Sequence, residues 1–370
     1  MNRSSVSIVM FAATLLSSSG VAQAAPPTYR LTEFGADDSA SKATYVTGVN
    51  ALGEIAITVY DNGNGTSQAY LWRSGTLTPL SGISNLCGPN SNSSSAGINN
   101  FGHVGVSVYS SDFTCFKNYI WNQGKVTFVG PGPTGYTVES VSGPNDRDEV
   151  IGSLAGTNPD GSGFQVQYSW QNGQFTILPP LPNGNMYYPG GATATGLNDF
   201  GVIAGSSGTA GGFRGVIWVN SKAIDMGTCP GIPNSAAGMI NNLGMVVGSC
   251  QVNGDTFVPF VWQAGTFTTL PIPNNGQPQS GSALGINDLG QIVGYQYPNS
   301  AGTGPATALL WERGAVYDVN TLIAPNDPLK PYAVLLVAEE VTLGGQIVAM
   351  GQDTRIPNNS SVFYVLTPEN

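Results

Sequence analysis

A text that recurs every 44 to 49 residues restricts this chain to folds built from like units laid side by side. Tryptophan stands at 72, 121, 170, 218, 262 and 311, each time ending a short apolar word: AYLW at 69–72, NYIW at 118–121, QYSW at 167–170, GVIW at 215–218, PFVW at 259–262 and ALLW at 308–311. Upstream of each lies a second word. It reads GVNALGEIAI at 48–57, GINNFGHVGV at 97–106, GLNDFGVIAG at 196–205, MINNLGMVVG at 239–248 and GINDLGQIVG at 285–294, with degenerate copies GPNDRDEVIG at 143–152 and EVTLGGQIVA at 340–349. The second word therefore occurs seven times and the tryptophan word six times.

Apolar residues, then Asn-x-x-Gly, then an apolar run describe a hairpin whose turn needs positive φ, which Gly and Asn supply. The tryptophan word, a short turn that usually contains Gly, and a run such as Thr76-Leu77-Thr78-Pro79-Leu80 describe a second hairpin. One unit is thus four short antiparallel strands, a to d, the content of a propeller blade, and seven copies lie within the usual four to eight blades. The ends agree with closure. The seventh copy has a strand c, Val362-Phe363-Tyr364-Val365-Leu366, and no strand d, whereas Arg30-Leu31-Thr32-Glu33-Phe34 precedes the first strand a and reads as a strand d. Leu31, Thr32 and Phe34 align with Leu77, Thr78 and Leu80. Pairing the two ends closes a ring and leaves no inner edge exposed, which disfavours the rival open β-solenoid. The expected fold is all-β: a seven-bladed β-propeller with blades near 43–82, 94–130, 137–181, 192–228, 235–271, 281–322 and 333–368, residues 28–35 supplying the outer strand of the last.

Composition excludes several functions. Glycine is 50 of 370 residues, about twice the roughly 7% of an average protein, and charged residues are 9% against a norm near 25%. Net charge is −10 with 12 basic residues and no basic run, which argues against nucleic-acid binding. The single histidine, His103, begins strand b of the second unit; the matching positions hold Glu54, Glu149, Val202, Met245, Gln291 and Gln346, so it reads as a surface position and not as a catalytic base. Residues 1–24 read as a secretory signal: Arg3 supplies charge, Val6 to Leu16 an apolar stretch too short to span about 30 Å of hydrocarbon, and Ala22-Gln23-Ala24 the cleavage site. The expectation is a secreted monomer, periplasmic or extracellular, with no membrane span, no cofactor and no metal.

These words resemble the repeats of extracellular HAF-family proteins, whose consensus runs near G-I-N-x-x-G-x-V-V-G, then H-A-F-L-W, then D-L-G-T-L. The first word matches well. The second keeps its Trp and loses its His in every copy, and the third survives in pieces at Asp225-Met226-Gly227-Thr228 and Asp318-Val319-Asn320-Thr321-Leu322. The resemblance implies a secreted repeat protein and carries over no catalytic residue.

In such a ring the a–b and c–d turns lie on one face and the b–c loops and d–a connections on the other. The turns here are short and uniform, and the insertions fall in the second class, for example at Asp61–Thr66, Asn183–Gly191 and Tyr295–Pro305, so a ligand is expected on the loop face. Four cysteines allow three pairings. Cys87 and Cys115 fall on that face around the second unit, Cys229 and Cys250 around the fifth, and the repeat selects Cys87–Cys115 and Cys229–Cys250, as an oxidising compartment permits. Tyr60, Tyr109 and Tyr297 end strand b of units 1, 2 and 6, and Tyr187-Tyr188 lies in the connection between units 3 and 4. Tyrosine offers a flat apolar ring and a hydroxyl, suited to stacking on a sugar or holding a peptide, though strand-end packing explains it too. The repeated Trp reads as packing between blades, and the Asn of Asn-x-x-Gly as a turn residue. Asp146–Glu149, with Asp148 in the glycine position, and Asp61–Thr66 read as plain turns and not as calcium loops. Two functions follow: a non-catalytic module binding a glycan, a cell surface or a protein, or a carbohydrate-active enzyme using loop carboxylates such as Asp112, Asp160 and Asp255.

Overall fold

In a computed structural model the chain forms, among the described residues, seven four-stranded antiparallel sheets in the strand order a-b-c-d. The structure describes residues 26–34, 42–182, 184, 192–273, 279–356 and 361–369; residues 1–24, which read as a secretory signal in the sequence, lie outside them. Blade 1 runs Lys42–Val49, Ile55–Asp61, Thr66–Arg73 and Thr76–Pro79. Its tryptophan fixes the register, since Ile55 faces Trp72 and Trp72 faces Leu77. The same row recurs as Val104, Trp121 and Val126 in blade 2, and as Ile292, Trp311 and Val316 in blade 6. The turn glycines take φ of 74–78° in blades 1, 2, 4, 5, 6 and 7, and Asp148 takes the place in blade 3 at 56°. Strand a of blade 3 is the shortest, Tyr136–Val138. Pro144 stands where the other blades have an N–H to donate, and only an isolated bridge, Ser142 to Ile151, follows that strand.

Blade 7 consists of Ala333–Val341, Ile347–Asp353 and Ser361–Pro368, completed on its outer edge by Tyr29–Phe34. Ile347 faces Leu366 and Leu366 faces Leu31, so Leu31 occupies the place that Leu77 has against Trp72, as the alignment of the strand-d words predicts. The seam is also held by polar contacts. Asp327, in the connection from blade 6, accepts the N–H of Leu31 at 2.8 Å, Arg355 is paired to Asp353 and lies 3.2 Å from Glu33, and Arg30 meets Glu369 at 2.6 Å.

The core is seven wedges between neighbouring blades and not one central mass. Each apolar cluster joins two consecutive blades; Ile55, Ile57 and Trp72 of blade 1, for example, pack on Val348, Phe363 and Val365 of blade 7. All six tryptophans are buried, and three tie backward to the preceding blade: Trp121 Nε1 donates to Ser81 O, Trp218 Nε1 to Pro179 O and Trp311 Nε1 to Pro271 O, at 2.6–2.8 Å. Both disulfides form as the repeat selects, Cys87–Cys115 and Cys229–Cys250. Cys250 lies inside strand b of blade 5, Val246–Asn253.

A chain lacking residues 26–34 exposes the edge of blade 7 and loses the burial of Tyr29 and Leu31. At about 1.5–3 kcal/mol per large apolar side chain this removes on the order of 3–6 kcal/mol. Calorimetry of the truncated chain should show a lower and broader transition; an unchanged melting temperature would mean that the N-terminal strand does not close the ring.

Candidate functional site

On the loop face, the best-built feature is the b–c loop of blade 2, Ser110 to Cys115. Its backbone is determined several times over: Ser110 N donates to Cys115 O and Phe113 N to Ser110 O, each at 3.0 Å, Cys115 N reaches the Ser110 hydroxyl, and Cys115 is tethered to Cys87. Asp112 accepts the Ser110 hydroxyl at 2.6 Å and both the N–H and the hydroxyl of Thr114. Held this way, Phe113 stands at φ 55°, unusual for a bulky residue, with its side chain 67% exposed. Tyr109 lies beneath it, ring centroids 5.2 Å apart and nearly parallel, and also stacks on Phe116 at 5.9 Å. The Tyr109 hydroxyl is 2.6 Å from that of Ser67 in blade 1, and Ser67 is the cross-strand partner of Tyr60.

Tyr60, Tyr109 and Tyr297 thus stand at the loop ends of strand b as expected, each partly buried. The structure links Tyr109 to the Tyr60 strand pair, while Tyr297 in blade 6 packs edge-on against Tyr295. Tyr187 and Tyr188 lie outside the described residues. Phe113 and Phe116 offer more open ring surface than the tyrosines, and sequence reasoning passed over them; the Phe in a short Ser-Ser-Asp-Phe-Thr-Cys loop was the available signal.

Asp112, Asp160 and Asp255 fall in the b–c loops of blades 2, 3 and 5. The Ser110 hydroxyl, then the Thr114 N–H and hydroxyl, hold the Asp112 carboxyl below its usual range, and the Ser162 hydroxyl and N–H do the same for Asp160. Both are local turn acceptors that favour the ionised form, opposite to the raised pKa of a general acid. Asp61 likewise spends its oxygens on Gly63 N and Asn64 Nδ2 of its own loop.

The opposite face is organised by the repeated asparagines. Each Oδ1 accepts two N–H groups of its own turn, as Asn198 does from Phe200 and Val202. Each Nδ2 donates to the carbonyl of the equivalent residue one blade on: Asn50 to Asn99, Asn99 to Asn145, Asn145 to Asn198, Asn198 to Asn241, Asn241 to Asn287 and Asn287 to Thr342, at 2.8–3.0 Å. The next residue repeats the pattern. Ala51 N donates to Asn100 Oδ1, Asn100 N to Asp146 Oδ1, Asp146 N to Asp199 Oδ1, Asp199 N to Asn242 Oδ1 and Asn242 N to Asp288 Oδ1, at 2.8–2.9 Å. These turns surround an axial cavity of about 190 Å³ lined by residues of blades 1, 2, 4, 5, 6 and 7. His103 sits on this face, and it is partly buried and paired: its Nδ1 is 2.7 Å from Asp148 of blade 3, the residue that replaces the turn glycine.

Below the mouth the innermost strands nearly touch, since a Cβ on Gly48 would sit 3.0 Å from Gly97 Cα. Blade 7 has Glu340 at that glycine position, beside Glu339, in a strand whose register shifts twice. Burial pushes Glu339 up to about 7, and burial with the Glu339 charge pushes Glu340 up to about 8.

No family model matches the chain, and no curated protein matches it. Solved propellers do. The β-propeller domain of the trilobed protease from Pyrococcus furiosus is 12% identical over 77% of this chain and 83% of that one, with a TM-score of 0.47. A puromycin-hydrolysing peptidase of Mycobacterium tuberculosis is 11% identical over 92% of this chain, with a TM-score of 0.50; this chain spans just over half (56%) of its length. Aleuria aurantia lectin, solved with Fucα1-6GlcNAc, is 14% identical over 75% of this chain and 94% of that one, with a TM-score of 0.40. At these identities the likeness is one of fold.

Two outcomes follow for the axial face. Asn198→Ala strands the two turn N–H groups of Phe200 and Val202, leaves the Asn241 carbonyl with only its own Gly244 N–H, and should cost roughly 2–4 kcal/mol, whereas Thr342→Asn supplies the amide missing at the seam and should add roughly 0.5–1.5 kcal/mol, both read by denaturant unfolding. An equal loss from both would mean that the amides do not bridge the blades. Because Glu339 and Glu340 bind protons more tightly in the folded chain, stability falls as pH rises from about 4.5, the ordinary glutamate value, to about 8. Glu340→Gln should flatten that fall in a melting series across the same range; an unaltered slope would show that Glu340 is not held protonated.

Proposed function

We propose that this chain is a secreted, non-catalytic binding module of the HAF-repeat type that recognises a glycan through the loop face of its propeller. The observation that carries the proposal is the Phe113–Tyr109–Phe116 stack on the Cys115-anchored loop. A bulky side chain in left-handed backbone, held there by redundant hydrogen bonds and left open to solvent, is a conformation that costs free energy without adding to the core. A flat, rigid aromatic face loses little entropy on contact and suits the apolar face of a pyranose ring. The paired cysteines fit an oxidising compartment, and no helix among the described residues is long and apolar enough to cross a membrane.

The test is retention of residues 25–370 on a panel of insoluble polysaccharides, with released reducing ends measured in the same tubes. Retention without release is expected, and Phe113→Ala should weaken it about tenfold, equivalent to about 1.4 kcal/mol. Tyr187→Ala with Tyr188→Ala tests whether the connection between blades 3 and 4 takes part in binding. Release of reducing ends would overturn the non-catalytic reading, and retention that Phe113→Ala leaves intact would move the site elsewhere.

A further inference from the structure

The turn face carries a second surface that the loop-face reading does not use. Leu52, Phe101, Phe200, Leu243 and Leu289 occupy the same turn position in blades 1, 2, 4, 5 and 6, with Leu343 beside it in blade 7, and each is 47–73% exposed. The fold does not require them. What that position contributes is its backbone N–H, bonded to the asparagine Oδ1, and Arg147 makes the same bond in blade 3. A polar residue would serve equally, so apolar side chains at six of seven turns, gathered on one end of the ring, mark a contact surface.

Charge selects the occupant. Inside the crown, Asp199 and Asp288 line the axial cavity and Asp146 continues their ring. Their oxygens accept from neutral N–H donors, and among the described residues none of the three forms an ion pair. The arginines of this face are spent on Glu54, Glu149 and Glu312 of their own blades. We infer that this face docks a polypeptide segment of a partner protein in which a lysine or arginine, flanked by apolar side chains, enters the axial mouth while its flanks cover the crown. A second copy docked face to face would bring two uncompensated carboxylate rings together, and an anionic bilayer would meet the same repulsion, so both fit the charges worse. The inference is independent of glycan binding on the opposite face.

The probe is a displayed library of random heptapeptides panned on the folded chain, with counter-selection on the variant Leu52→Ser, Phe200→Ser, Leu243→Ser, Leu289→Ser. Enriched peptides should carry Lys or Arg between apolar residues. Synthesised singly, they should bind at least about tenfold more weakly to that variant and to Asp199→Asn with Asp288→Asn, whose side chains keep the turn acceptor and lose the charge; unchanged circular dichroism and melting would show that both variants fold. Failure to enrich crown-dependent peptides, or enrichment of peptides without a basic residue, would overturn the inference. So would crown-dependent co-sedimentation with phosphatidylcholine–phosphatidylglycerol vesicles, which would assign the face to a bilayer, or a crown-dependent dimer in sedimentation velocity.

Discussion

An asparagine that bonds in two directions organises this molecule. Its Oδ1 closes the turn it belongs to and its Nδ2 reaches a carbonyl of the next blade, so the shape of each turn and the spacing between blades are set by one planar group. The amide cannot satisfy one partner and drift from the other, because both oxygen and nitrogen lie in a single rigid plane. Repeated six times with the same hand, this contact fixes the mouth of the axial cavity and presents the neighbouring turn residues in a regular ring. Strand-b heads add the same directionality. Gln346 lies over Gly53, Glu54 over Gly102 and Glu149 over Gly201, each packed against the turn of the following blade.

The device stops at the seam. Thr342 accepts from Asn287 but has no amide to pass on to blade 1, and Glu340 stands where a glycine lets other inner strands approach. Closure is carried instead by the outer edge, where Tyr29–Phe34 pairs with Ser361–Pro368 and Phe34 packs against Trp72 and Phe363. The joint is therefore made from a β-ladder and an apolar wedge, with Asp327 and Arg355 fixing the strand in place, while the other six contacts have amide bridges as well.

Much of this architecture was legible because it is periodic. Blade number, the row through each Trp and the match of Leu31 to Leu77 all follow from aligning the chain with itself, and the disulfides follow from that alignment. The amide bridges were not legible. An Asn-x-x-Gly turn explains its own asparagine completely, and a contact with a residue 43 to 55 positions away leaves no local mark. For the same reason His103 read as a surface position, although Asp148 one blade away accounts for it. Tyr60, Tyr109 and Tyr297 recur at one place in the unit, seven residues after the turn glycine, whereas the more open rings of Phe113 and Phe116 depend on a loop geometry that the repeat does not reveal.

Native-state hydrogen exchange at the turn amides tests the amide ring most directly. The N–H groups of Leu52, Phe101, Phe200, Leu243 and Leu289 lie in surface turns with solvent-exposed side chains, where loop amides ordinarily exchange by local opening. If the two-way asparagines hold the ring, all five should exchange as slowly as the buried strand amides of Ile55 and Val246 and respond to denaturant with the same slope. Fast exchange at these five positions while the strands remain protected would contradict it and leave the apolar wedges as what holds the blades together.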